Sequence, residues 1–312
     1  MTDEPRTERC VLRLFGADPA ALAEAVGRFA PRWNANAQWR SRSGETLLAL
    51  CAPTSSGLKK ARQSLRTSFP AALYGEGDTT LAVSLIETLE RCDRLLVCAD
   101  AAAGALLDAR LENVPGAERV FDFGALSYAH PKTGPQIEKR ARAKLHLPPE
   151  GADLSGIDPV RLALARAQAA RRVVGAELSA ACAEKGEERT LVLAARKGCW
   201  LRTVPTADNP ALWLMDMIRR AAADLPQAEG TRFLPGRKAA AVHPETAAQA
   251  ARPTAQKPPR TRRRWVWRLL LLLGLAALAG AWYWTGGALD TLPDRLRELA
   301  SSSLPHSGAK FL

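Results

Sequence analysis

Metal-binding and disulfide patterns are missing from this chain. Its six cysteines (Cys10, Cys51, Cys92, Cys98, Cys182 and Cys199) contain no CxxC spacing and no even framework. The four histidines are scattered, with no ligand-type cluster beside the cysteines. Reduced thiols are the reading, and neither a metal nor a cofactor is expected. An apolar leader is missing too: residues 1–9 are charged, which argues against a signal peptide. Acids are nearly absent from residues 231–268, where ten Lys/Arg side chains accompany Glu245 alone. That stretch supplies +9 of the formal net charge of +12, so the rest of the chain is only mildly basic. Overall charge is therefore no argument for a nucleic-acid-binding protein, and nucleic acid is not an expected partner.

What is present is enough apolar sequence for packed cores. At 312 residues and 47% hydrophobic content there is room for two domains. Residues 9–75 read as a small α+β unit. A strand at 10–15 is followed by a helix at 20–29 with Leu22, Val26 and Phe29 on one face. A hairpin at 38–43 and 45–51 comes next, then a helix at 55–69 with Leu58, Ala61, Leu65 and Phe69 inward. From 76 to 230 strands and helices alternate, which implies a layered α/β domain. Helices are expected at 80–92, 103–113, 159–174 and 209–223. Strands are expected at 94–98, 119–128, 178–183, 190–196 and 199–204. Residues 231–264 are rich in Ala, Pro and Arg without apolar periodicity and read as a linker.

The most informative stretch is 95–128, LLVCADAAAGALLDARLENVPGAERVFDFGALSY. It resembles the C-terminal domain of the CinA (competence/damage-inducible) family, the nicotinamide-nucleotide amidases. The family frame runs A-E-S-C-T-G-G, then L-L-A-A-R-L-T-D-V-P-G, then G-G-V-V-A-Y. In the same register this chain has Ala99-Asp100-Ala101-Ala102-Ala103-Gly104-Ala105, then 106–116, then 123–128. The resemblance puts the family's serine nucleophile on Ala101 and its threonine on Ala103. Asp100 replaces a glutamate; Gly104 and Tyr128 are kept. Ala129 and His130 stand where the family has Ser-Asn, and its lysine maps near Lys132 or Thr133. Gly175-Ala176-Glu177-Leu178 matches G-A-D-L, but T-G-I-A-G-P becomes 183–188, Ala-Glu-Lys-Gly-Glu-Glu. A methyl group cannot attack an amide. No catalytic residue is therefore assigned; Asp100, Ala103, Gly104, Tyr128 and His130 are the expected remnant pocket. Asp100 reads equally as the cap of the following helix, and Ser127 and Cys98 read as ordinary strand packing.

The segments LRLFGAD near the start and LYGEGDTTL at 73–81 resemble the family's KH-like middle domain and its junction to the amidase domain. A KH-type RNA site needs a G-x-x-G loop, and residues 9–75 contain none. The family's large N-terminal molybdopterin-binding-like domain is not expected here.

Residues 265–284 form a 20-residue stretch whose single charge is Arg268, near one end, about 30 Å as a helix. Trp265 and Trp267 at one end and Trp282, Tyr283 and Trp284 at the other match interfacial belts, with Arg268 placed to reach headgroups. These residues read as the anchor of one transmembrane helix. The cationic flank orients it with residues 1–264 in the cytoplasm and 285–312 outside, at a bacterial inner membrane. Residues 289–300 show helical leucine spacing, Leu289, Leu292, Leu296 and Leu299.

The expected architecture is thus α/β: a layered amidase-like domain (76–230) behind a KH-like α+β domain (1–75), plus the span. The expected function is a membrane-anchored, catalytically inactive CinA-like scaffold, adaptor or nucleotide sensor. Its expected partners are the lipid bilayer, proteins or a second copy of itself, and a pyridine nucleotide. A membrane-tethered nicotinamide-nucleotide amidase and a KH-like nucleic-acid-binding module are the alternatives.

Overall fold

Alternation of burial builds the first sheet. In Glu45–Ala52 (β3) Thr46, Leu48, Leu50 and Ala52 point inward while Leu47 and Ala49 face out, the two-residue period of a half-covered strand. Glu8–Phe15 (β1) pairs with it antiparallel, Glu8 opposite Ala52 and Phe15 opposite Glu45. Asn36–Arg42 (β2) lies on its other side. The β2–β3 turn is Ser43-Gly44, both with positive φ (50° and 84°), the backbone that a two-residue hairpin requires. Leu73–Glu76 (β4) completes the order β2-β3-β1-β4. Two helices cover the inner face, Pro19–Trp33 (α1), capped by Asp18, and Ser55–Ser68 (α2), capped by Thr54. Leu12, Leu14, Leu22, Phe29, Leu48, Leu50 and Leu65 form the core between them. This computed structural model describes residues 8–121, 126–148, 154 and 156–236.

The second sheet has five strands in the order β5-β6-β7-β8-β9: Leu96–Cys98, Leu178–Lys185, Glu188–Ala194, Gly198–Pro205 and Arg232–Pro235. β5 and β6 are parallel; the rest is an antiparallel meander. The first six residues of β6, Leu178 to Ala183, are all buried because helices cover both faces. Leu96, Cys98, Leu178, Ala180, Cys182, Leu191 and Leu193 meet Leu81–Arg91 (α3), Ala101–Leu111 (α4) and, beyond the short Ala117–Val120 (α5) and Gly134–Lys144 (α6), Pro210–Ala222 (α8). Val97, Ala99, Ala181, Ala183 and Val192 meet α6 and Pro159–Val174 (α7).

Both sheets lie in one compact unit, Met1–Pro244. They are joined through α8. Asp216, buried, accepts from Arg219 (2.6 Å) and from Arg220 (2.6 Å). The other guanidinium nitrogens donate to carbonyls near the first sheet, Arg219 to Ala71 (2.6 Å) and Arg220 to Phe15 (2.7 Å). The two guanidinium groups share one carboxylate and give further hydrogen bonds to carbonyls, which is how such a cluster tolerates burial.

Several expectations are corrected. Residues 119–128 are not a described strand: Ala117–Val120 is a helical turn starting at Gly116 (φ 89°), residues 122–125 lie outside the described residues, and Leu126 begins a turn. A short apolar run does not distinguish helix from strand. Helix α6 and strand β9 were not anticipated. The fold class is corrected by removing the transmembrane helix: among the described residues no helix is long and apolar enough to cross a membrane. Helix α7, the longest of them at 16 residues, is short of the ~20 needed and carries Arg161, Arg166, Arg171 and Arg172. The expected span at 265–284, with Trp265, Trp267, Arg268, Trp282 and Trp284, lies outside the described residues, as does the expected helix at 289–300. The single-pass inner-membrane placement is withdrawn with it.

Candidate functional site

The motif turn sits where β5 ends and α4 begins. Ala99 N–H donates to the Ala180 carbonyl (2.8 Å), extending the β5–β6 pairing by one residue. The chain then turns at Asp100 (φ −151°, ψ 165°), and α4 starts at Ala101. The Asp100 carboxylate accepts from Ala103 N–H (2.8 Å), capping the helix. It also accepts from Cys182 N–H on β6 (3.2 and 3.3 Å). One side chain therefore ties the strand, the helix and the neighbouring strand together. Burial pushes its pKa up to about 6, against the opposing pull of these two backbone donors and of the Arg166 charge.

Beside Asp100 is a hollow of about 260 Å³. Ala101 and Ala102 form one wall, Pro159, Leu162, Ala163 and Arg166 of α7 another, and Cys182, Ala183 and Glu184 of β6 the third. Ala101 is exposed, so the position that the family frame gives to a nucleophile presents a methyl group to the hollow. Ala103 is fully buried in the core below. Arg166 is held by Glu138 (3.0 Å) and Glu184 by Arg189 (3.1 Å).

Other nucleophile types nearby are disarmed. Ser127 Oγ is buried and donates to the Cys98 carbonyl (2.5 Å). Burial, with Asp100 and Asp108 adding repulsion, drives the Cys98 thiol far above its ordinary pKa. Burial likewise pushes Cys182 up to about 12, Asp100 and Glu184 reinforcing it. A thiol held that high supplies almost no thiolate near neutrality.

The remnant residues are only partly brought together. Asp100 and Ala101 line the hollow. Tyr128 does not; its ring lies on Gly104, where an added Cβ would stand 3.0 Å from the ring carbon Cε1 and from Oη. This close approach accounts for a glycine there. His130 is exposed and accepts from Lys132 N–H at Nδ1 (3.2 Å), a local turn contact. Sequence reasoning missed Arg166, Cys182 and Glu184. No local signal marked them: the parallel register, Cys98 opposite Ala180, carries 182–184 past Asp100 and appears only in the fold.

Residues 183–188, which the resemblance aligns with T-G-I-A-G-P, are regular structure. Ala183, Glu184 and Lys185 pair with Thr190, Arg189 and Glu188 around a Gly186-Glu187 turn, Gly186 having φ 58°. The Glu187 carbonyl accepts from Thr206 N–H (2.7 Å) and Thr206 Oγ1 (2.8 Å). The ladder backbone and the Glu187 carbonyl are therefore committed within the protein. Among the described residues no group of His, Cys, Asp and Glu is arranged to hold a metal ion.

The fold and site define a layered α/β protein with a carboxylate-capped strand–helix turn opening on a small hollow. No family model matches the chain. Proteins described as CinA-like do match it. That of Prochlorococcus marinus is 24% identical over 125 residues, 38% of this chain and 30% of the relative. That of Frankia casuarinae is 30% identical over 129 residues, again 38% and 30%. That of Gemmatimonas aurantiaca is 33% identical over 73 residues, 23% of this chain and 17% of the relative. Over the matched stretch the chain is similar to these CinA-like proteins. The match spans about 30% of the length of the first two of these relatives.

Proposed function

We propose that this chain is a CinA-family protein that has given up amide hydrolysis and works by binding, as a nucleotide sensor or protein scaffold. The observation that carries the reading is Ala101, a methyl on the exposed first residue of α4, facing a hollow. Supporting it, the nearby hydroxyl and thiols are hydrogen-bonded inward or held protonated by burial. Loss of a nucleophile costs a comparable hydrolase on the order of 10⁶ in rate. What survives is the scaffold of the turn: Asp100 still caps α4 and holds β6, leaving a preformed polar-edged hollow. A pyridine nucleotide is the ligand suggested by the family resemblance.

The test uses the full chain with nicotinamide mononucleotide. No nicotinamide should be released above the buffer rate, while the nucleotide should raise the melting temperature in a dose-dependent way. Turnover abolished by Asp100→Asn would overturn the loss of hydrolysis. No thermal shift, together with a monomer that captures no second copy in sedimentation, would remove both binding roles.

A further inference from the structure

The opposite end of the five-stranded sheet carries a second hollow, of about 310 Å³. It forms where the last turn of α7, the β7–β8 turn and the residue after β9 meet. The wall is fixed by backbone: Ala195 N–H donates to the Gly198 carbonyl (2.8 Å) and Gly236 N–H to the Lys197 carbonyl (3.1 Å). At Gly198 a Cβ would stand 2.2 Å from the Leu234 carbonyl oxygen, so β9 is seated as closely as glycine permits.

Its lining is cationic. Arg171, Arg172, Arg196 and Lys197 surround it, and no acid lines it. Lys197 is drawn aside to Asp224 (2.6 Å). Among the described residues, Arg171, Arg172 and Arg196 make no ion pair with a carboxylate. Lys144, half-buried on α6, is disfavoured as a cation by burial and by the nearby Arg172 charge. The wall also holds a neutral group in need of a partner. Gln168 Nε2 donates to Cys199 Sγ (3.1 Å), while its buried Oε1 has no partner among the described residues.

Arginines in the last turn of a helix complement its dipole, which accounts for Arg171 and Arg172 in α7. It does not account for Arg196, which lies in a hairpin turn, or for the crowding of Lys144. Crowded guanidinium groups around a concave, rigid wall are suited to an anion with more than one phosphate, which takes forked hydrogen bonds from each. We propose that this hollow is a binding site for a small diphosphate-bearing molecule, gripped by Arg171, Arg172 and Arg196, with Gln168 Oε1 accepting from a donor group beside the phosphates. The proposal is independent of the motif turn and of whether that turn hydrolyses anything.

Calorimetric titration of the full chain with inorganic pyrophosphate tests it, with sulfate as the comparison. Saturable binding is expected, tighter than sulfate, and each arginine replaced should weaken it about 10-fold or more. The variants are Arg172→Gln and Arg196→Gln; the second lies in a turn outside any helix and keeps the test open if the first lowers stability. The cationic stretch 231–268 also attracts phosphate, so pyrophosphate bound as tightly by both variants as by the parent would assign binding there and overturn the proposal. Equal affinity for sulfate and pyrophosphate, or no saturable heat, would do the same. Lowered melting temperature in Arg172→Gln with unaltered pyrophosphate affinity would mean that the arginine only complements the helix end.

Discussion

A single carboxylate governs the motif turn, and its titration is measurable. Asp100 titrates near 6 in the folded chain, against about 3.9 unfolded. Between those values the folded state holds more protons, so its contribution to stability falls as pH rises from about 4 to about 6. Comparing the full chain with Asp100→Asn should isolate it. Urea unfolding at pH 4.5 and 6.5 should show the parent losing about 2 kcal/mol more than the variant over that interval. An identical pH dependence in both proteins would contradict the burial argument. At the same scale, Ala101→Ser should restore no nicotinamide release. The two carboxylates that line the hollow are already engaged, Asp100 by the Ala103 and Cys182 N–H groups and Glu184 by Arg189, and Ala103 is buried. Turnover by the single variant would show that the surrounding pocket is still competent. Asp100 was legible in sequence as a cap. Cys182 was not, because its position depends on the register of a strand some eighty residues away.

Among the elements, those with strong local patterns were the legible ones. The α7 helix over Pro159–Val174 follows from Asp158 and Pro159 at its start and Gly175 (φ 82°) at its end. The alternating β3 and the apolar β6 were equally readable. Helix α6 was not: it buries only Ile137 and Ala141 and is otherwise polar, so no apolar stripe marks it. Strand β9 adds four residues to an edge, with Phe233 exposed, and lacks the burial pattern that identifies a strand. The region 119–128 misled because Val120 and Phe121 are buried from a helical turn and its end. The start of α6 carries its own prediction. A Cβ at Gly134 would stand 2.3 Å from the Tyr128 carbonyl oxygen, and backbone cannot swing aside as a side chain does. Gly134→Ala should destabilise by about 2–3 kcal/mol, read as a lowered urea midpoint; an unchanged midpoint would mean that this loop is free to shift.

At the scale of the molecule, the layered α/β character could be inferred from alternating elements, but the joint between the sheets could not. Asp216, Arg219 and Arg220 are residue types that helices ordinarily leave in water, yet all are at least 95% buried. Asp216→Asn should therefore cost about 3–5 kcal/mol, because two buried guanidinium groups lose their counter-charge. Calorimetry on the full chain checks this, and a change below 1 kcal/mol would show that water already reaches the joint.

The hairpin at Lys185–Glu188 has a mechanical consequence. Three successive cross-strand pairs and the Thr206 contacts fasten the turn at this end of the β6–β7 ladder. Opening a flexible loop there would mean unzipping a finished ladder first, so this corner of the sheet resists remodelling the way a closed zip resists being parted from the middle.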